Sequence, residues 1–255
     1  MIIDFSVYSS IKIGKKTAVT TIADRSFDAK DFFIVGAASN LLVSNDPPPL
    51  AVLDRSFDYC RVEGSAIVCG GGVRSGRVVS LCKQRNLGGL EFLSGLPGTI
   101  GGIVAMNAGL KTCAAFDRLL TVDLGNGGVS AETIAHGYRF ADLGGVVFEA
   151  VFRVDQGFDH ALEAEFLRIR SLQPKDKSAG SCFKNPDGDY AGRLIEAVGL
   201  KGFQHGGAAF SPQHANFLIN NCGATFDDAL YLIAEAKRRV SEQFGVALQE
   251  EIKII

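Results

Sequence analysis

Several signatures of common function classes are missing from this 255-residue chain. No G-x-G-x-x-G and no G-x-x-x-x-G-K-[ST] occurs, which disfavours Rossmann and P-loop nucleotide sites. There is no G-x-S-x-G nucleophile elbow. The cysteines at 60, 69, 82, 113, 182 and 222 form no C-x-x-C pair, which argues against a zinc site and against a disulfide scaffold; no metal is expected. No run approaches the ~20 apolar residues of a membrane span. The start, Met1-Ile2-Ile3-Asp4-Phe5-Ser6, lacks a basic flank before a long apolar core, so no signal peptide is read there. Charge of one sign is also lacking: 26 basic against 28 acidic residues leave a net −2, which points to neither nucleic acid nor an anionic membrane as partner. These absences describe a soluble cytoplasmic protein with reduced thiols. Any anionic ligand must then be met locally, by backbone amides or a few placed cations.

What is present is a core and many glycines. Apolar residues make up 47% and charged residues 21% of the chain, enough for one large domain or two to three small ones. Most of the thirty glycines lie in the first 145 residues. The densest stretch runs from Gly95 to Gly109, with glycines also at 98, 101 and 102 and with Pro97, yet it keeps Leu96, Ile100, Ile103, Val104 and Met106 apolar. A solvent-exposed linker would be polar. Glycines among apolar residues imply a buried backbone that something approaches closely, and its free amides suit phosphate or a flat heterocycle. The plainer reading is a tight turn inside a core. A weaker signal of the same kind follows the apolar run 32–35, where Gly36-Ala37-Ala38-Ser39-Asn40-Leu41 is either a phosphate cradle or a strand-to-loop turn.

Strand-like runs at 17–22, 32–35, 50–53, 66–69, 119–124 and 146–154 alternate with turns, Gly125-Asn126-Gly127-Gly128 reading as a hairpin connection. The pattern 75–85 is helical, with Val78, Val79 and Cys82 facing inward. Beyond residue 154 helices dominate, at 161–170, 190–198 and 225–244. The last begins with a capping-box-like Thr225 and Asp228 and carries an apolar stripe of Leu230, Ile233, Val240 and Phe244. Lys237, Arg238 and Arg239 near its end read as a solvated face. The whole is α+β material without regular βαβ alternation.

A second constellation, Ser178-Ala179-Gly180-Ser181-Cys182-Phe183-Lys184-Asn185-Pro186, combines a flexible turn, a hydroxyl, a cation and an amide. It is followed by Ser211-Pro212-Gln213-His214-Ala215-Asn216-Phe217 and a terminal Glu250-Glu251. With the turn at 36–40, the 95–109 stretch and Tyr138-Arg139, these blocks in this order make the chain resemble the UDP-N-acetylenolpyruvoylglucosamine reductase family over nearly its whole length. The form it resembles is the compact one, without an inserted tyrosine-bearing loop. The resemblance implies two FAD-binding subdomains of the vanillyl-alcohol oxidase type (1–53 and 54–153), followed by a C-terminal α/β substrate-binding domain (154–255). It also implies a monomer as the expected state.

It further implies non-covalent FAD held by Gly36, Ala37, Ala38, Ser39, Asn40 and Leu41 and by Gly95, Pro97, Gly98, Thr99, Gly101 and Gly102, with Asn107 near the cofactor. NADPH would reduce the flavin and leave, using the substrate's own pocket, and the enolpyruvyl nucleotide sugar would then enter. Hydride addition to the terminal methylene leaves negative charge beside the carboxylate, which needs fixed positive charge or strong donors. The family role of stabiliser maps to Arg139, that of assisting carboxylate to Glu251, and that of proton donor to Ser181. Lys184, Asn185, Tyr190 and His214 are substrate candidates. On residue type alone Arg139 also reads as an exposed strand-edge arginine, Ser181 as a turn residue and Glu251 as a solvated acid. His214 reads equally as a substrate contact or a partner of a backbone carbonyl. Where family members carry three glycines before Ser-Asn, this chain has Gly36-Ala37-Ala38, so a positive φ there would be costly. Two alternatives keep part of the picture: an FAD oxidase or dehydrogenase of another substrate, and a non-catalytic nucleotide-sugar sensor. Many oxidases of this fold attach FAD through histidine, and none precedes His136.

Overall fold

A computed structural model describes Met1–Ile255. Its backbone divides into two compact units, one of Met1, Val19–Ala37 and Pro49–Arg170, the other of Ile2–Ala18, Ala38–Pro48 and Ser171–Ile255. Both are α+β, as the sequence pattern implies.

The first unit is built on a five-stranded antiparallel sheet in the order Gly128–Ser130, Leu119–Asp123, Glu149–Arg153, Ala66–Gly70, Cys60–Glu63. Strand periodicity turns Ala150 and Phe152 inward, opposite Cys69 and Ile67. The helix Ser75–Arg85 buries Val78, Val79 and Cys82 in this core, the face expected from its spacing. Asn86 ends it in the left-handed conformation that asparagine tolerates. A smaller parallel layer pairs residues 19–22 and Phe33–Ile34 with Leu50–Leu53, and buries Ile22 and Ala51 against Phe57, Val146 and Phe148. The apolar run 146–154 is therefore a strand only over Glu149–Arg153; Val146 and Phe148 serve this second cluster.

The glycine-rich stretch conceals a short helix, Ile100–Ala105. Ile100, Ile103 and Val104 recur at helical spacing, all buried, and Thr99 caps the helix, accepting from the Gly102 N–H at 3.4 Å.

The second unit carries a four-stranded antiparallel sheet, Ser178–Ser181, Phe217–Asn220, Ala208–Phe210, Gln204–His205. The helices Ala191–Ala197 and Phe226–Phe244 cover it, and Leu194, Ile195, Leu232, Ile233, Ala236 and Val240 share one core with Phe210 and Leu218. The capping box is formed as read: the Asp228 N–H donates to Thr225 Oγ1 at 3.1 Å and the Thr225 N–H to Asp228 Oδ2 at 2.9 Å. The basic triplet is less a free solvated face than a paired one. Lys237 meets Glu250 at 2.7 Å, Arg238 meets Glu235 and Glu242, and Arg239 meets Glu235 at 2.6 Å. The terminal strand Lys253–Ile254 runs parallel to Leu41–Leu42.

Candidate active site

In the first unit the glycine stretch is approached closely, in part by the protein itself. A Cβ on Gly36 would lie 2.5 Å from Thr99 Oγ1, and one on Gly95 2.7 Å from Leu110 Cδ2. The Gly101 N–H donates to the Gly71 carbonyl at 2.8 Å. What remains open is the turn just before the helix. Gly98 sits at φ 138°, and the buried Gly98 and Thr99 N–H groups find no acceptor within the protein. Buried donors of this kind are uncommon in a finished fold and call for an external acceptor.

Arg139 lies in the same unit, in the two-residue turn Tyr138-Arg139 between the paired strands His136–Gly137 and Phe140–Ala141. Its backbone is left-handed at φ 55°. The guanidinium donates to the Gly109 carbonyl at 3.0 Å and sits 5.1 Å from the centre of the Tyr138 ring. Asn107 is 6% exposed, and both ends of its amide are engaged: Oδ1 accepts from the Phe116 N–H at 3.1 Å and Nδ2 donates to the Gly137 carbonyl at 3.0 Å.

In the second unit the segment read as a flexible turn is instead the strand Ser178–Ser181, with an irregularity in its middle. Ser178 pairs with Ile219 and Ser181 with Phe217, so three steps on one strand face two on the other, and Gly180 takes the extra step at φ 82°. Such a bulge re-aims the residue beside it, here Ser181. Asn216 then continues the pairing with its side chain: Oδ1 accepts from the Phe183 N–H at 2.9 Å and Nδ2 donates to the Phe183 carbonyl at 2.8 Å. The Cys182 carbonyl accepts the Glu251 N–H at 2.9 Å, so Ser181 and Glu251 are brought together across seventy residues of sequence. Asn40 joins them, donating from Nδ2 to the Glu251 carbonyl at 2.9 Å. Glu250 is the less available acid: burial pushes its carboxyl up, but the Lys237 ion pair and a backbone N–H together outweigh this and hold it below its ordinary value.

The remaining candidates in this unit differ in freedom. Lys184 is half-buried and holds its register through its N–H to the Gln249 carbonyl at 2.8 Å. Asn185 Oδ1 accepts from the Ala191 N–H at 3.1 Å, at the start of the helix Ala191–Ala197, and Tyr190 beside it is 70% exposed. His214 does not satisfy a backbone carbonyl through Nδ1; that nitrogen accepts from the Asn216 N–H at 3.2 Å. Desolvation pushes its pKa down, which favours a neutral ring with its proton on Nε2. Ala38 is buried in the left-handed conformation at φ 50°, the costly case expected for alanine there, and its carbonyl accepts the Ser10 N–H at 3.2 Å. Composition gave no role to Asn216 or Ser10, because their partners are distant in sequence.

Comparison with known proteins is decisive. The protein named UDP-N-acetylenolpyruvoylglucosamine reductase in Helicobacter hepaticus is 46% identical across 100% of this chain and 98% of its own length. The chain belongs to the UDP-N-acetylenolpyruvoylglucosamine reductase family. A protein of the same name in Campylobacter jejuni is 42% identical, with both chains fully covered. The profile of the family's C-terminal domain matches residues 173–255. The crystal structure of the Thermus caldophilus reductase (MurB) superposes with a TM-score of 0.86 at 32% identity, covering 100% of this chain and 98% of that one. The fold class is thus the family's.

The residues present fit the diphosphate of a flavin nucleotide. Gly98 and Thr99 offer unpaired buried N–H groups, and Gly102 has no side chain to obstruct them. No cluster of His, Cys, Asp or Glu is arranged for a metal.

Proposed function

We propose that this protein is the flavoenzyme that reduces the enolpyruvyl group of UDP-N-acetylenolpyruvoylglucosamine to the lactyl ether of UDP-N-acetylmuramate, a peptidoglycan precursor, with NADPH as electron donor. The observation that carries this reading is the 46% identity to a named reductase over the entire chain. We assign the flavin to residues 1–53 and 54–153, with Gly36–Leu41, Gly95, Pro97, Gly98, Thr99, Gly101 and Gly102 around its phosphates and ribityl chain. The substrate falls to residues 154–255, the part that contains the C-terminal family domain. No helix is long and apolar enough to cross a membrane, which accords with a soluble nucleotide-sugar substrate.

FAD, when bound, would supply hydride to the substrate, whose terminal methylene carbon accepts it. The chain's own residues deal with the charge and the proton that this addition requires. Arg139, fixed by Gly109, places a permanent positive charge for the enolate-like dianion that forms beside the carboxylate. Ser181 Oγ gives its proton to the carbon that bears the carboxylate, where the negative charge has formed. A serine is a weak acid, but a carbanion is a strong base, so placement on the bulge suffices. Glu251, tethered beside Ser181, assists at the same carbon. Lys184 binds the substrate carboxylate, and Asn185, Tyr190 and His214 contact the nucleotide sugar.

The test is to release the chromophore with acid and to follow NADPH oxidation with and without the enolpyruvyl nucleotide sugar. Free FAD in the supernatant and oxidation dependent on the nucleotide sugar are expected. A colourless protein that stays inactive with added FAD would overturn the assignment.

A further inference from the structure

The turn that carries Arg139 draws little stability from its own two strands. Each of its flanking strands is two residues long, and a hairpin of that size has no stability of its own. Arg139 is also left-handed, a conformation that disfavours its side chain. The stiffness must come from outside the hairpin.

Two hydrogen bonds contribute to it, in matching register, beside the stacking of His136 on Phe116 with ring centroids 4.2 Å apart. The Asn107 amide holds the carbonyl of Gly137, and two residues further along each segment the Gly109 carbonyl holds the guanidinium of Arg139. The Asn107 oxygen is fixed in turn by the Phe116 N–H, and the Ala115 N–H donates to the Ala108 carbonyl at 3.0 Å. Both heavy atoms of the amide are therefore engaged with the protein, and the side chain is 6% exposed. Asn107 itself is left-handed at φ 41°, which brings its side chain back toward the hairpin. Its place one residue past Met106, the C-cap of the helix Ile100–Ala105, ties the hairpin to the same segment as Thr99.

We infer that Asn107 is a positioning residue for Arg139, fixing the guanidinium relative to the glycine stretch, and not a ligand of the cofactor. The inference rests on the reductase reading, in which Arg139 faces charge that develops only while substrate is reduced. Displacing a fixed charge by about 1 Å costs on the order of 100-fold in rate. Loss of the Asn107 amide therefore slows substrate reduction and leaves reduction of the flavin by NADPH unchanged.

Two variants separate the possibilities. Asn107→Gly accepts the left-handed backbone freely and deletes the amide. Asn107→Asp keeps the shape and the acceptor for Phe116 but turns an oxygen toward the Gly137 carbonyl, and it serves should the glycine variant fold poorly. Stopped-flow absorbance of the holoenzyme measures flavin reduction by NADPH and flavin reoxidation by the enolpyruvyl nucleotide sugar. We expect wild-type FAD retention, a wild-type first phase and a second phase about 10- to 100-fold slower, in its limiting rate more than in its KM. In an Arg139→Lys background the same change should cost much less, because the two residues act as a unit. Loss of FAD, equal slowing of both phases or full additivity with Arg139→Lys would overturn the inference. A wild-type enzyme that is not reoxidised by the nucleotide sugar would instead overturn the reductase reading.

Discussion

At the scale of single residues, three candidate residues other than glycine sit in left-handed backbone: Asn107 and Arg139 in the first unit and Ala38 in the second. Asparagine accepts that conformation readily, whereas alanine and arginine do so at a cost of about 1–2 kcal/mol each. Strain of this kind persists where surrounding contacts over-determine it, and functional sites are the usual place. For Ala38 the contact is Ser10, which donates to its carbonyl. Replacing Ala38 with glycine removes the strain but adds about 0.5–1 kcal/mol of chain entropy in the unfolded state. Ala38→Gly should therefore raise the thermal midpoint by about 1–3 °C, read by differential scanning calorimetry; a lower midpoint would contradict the strain argument. The sequence carried half of this result. It showed an alanine in a turn of small residues, but not the positive φ, nor the hydrogen bond from Ser10, which is 28 positions away. Asn107 and Asn216 were likewise visible only as members of quoted blocks, since an amide does not announce which carbonyl it will meet.

At the scale of elements, legibility followed the strength of local signals. The helices Ser75–Arg85 and Phe226–Phe244 were readable because apolar spacing, a capping box and terminators agree within each segment. The helix Ile100–Ala105 was obscured by glycine, although Ile100, Ile103 and Val104 already marked its face. The strand Ser178–Ser181 was obscured by small residues that suit a turn, and only its partner Phe217–Asn220 makes it a strand. Its bulge carries a prediction. A Cβ on Gly180 would meet nothing within 4 Å, so Gly180→Ala acts through backbone alone, against φ 82°. The expected loss is about 1–2 kcal/mol of stability, with slower flavin reoxidation by the nucleotide sugar as Ser181 shifts. Urea unfolding and stopped-flow reoxidation check both, and a variant unchanged in each would show that the bulge does not set the serine.

At the scale of the whole molecule, the cysteines test the two cores. Cys69, Cys82 and Cys182 are buried, and burial pushes the Cys82 thiol up to about 12 and the other two well above their ordinary value. Thiolate is the reactive form, so at pH 8 these three should resist iodoacetamide in the native protein while exposed Cys222 is labelled. Peptide mass spectrometry reads the pattern, and rapid labelling of Cys82 or Cys182 without denaturant would contradict the packing. The reaction itself was legible only as a resemblance. Ser181 and Glu251 lie seventy positions apart, and no local rule joins them; the Cys182 carbonyl does, once the sheet has formed.

In the proposed reaction Ser181, Arg139 and Glu251 serve the reduction of substrate and not the loading of the flavin. The most direct measurement is Ser181→Ala followed through both half-reactions by flavin absorbance. Flavin reduction by NADPH is expected at the wild-type rate, and reoxidation by the enolpyruvyl nucleotide sugar is expected to slow by at least about 100-fold. Equal slowing of the two phases, or wild-type reoxidation, would contradict it.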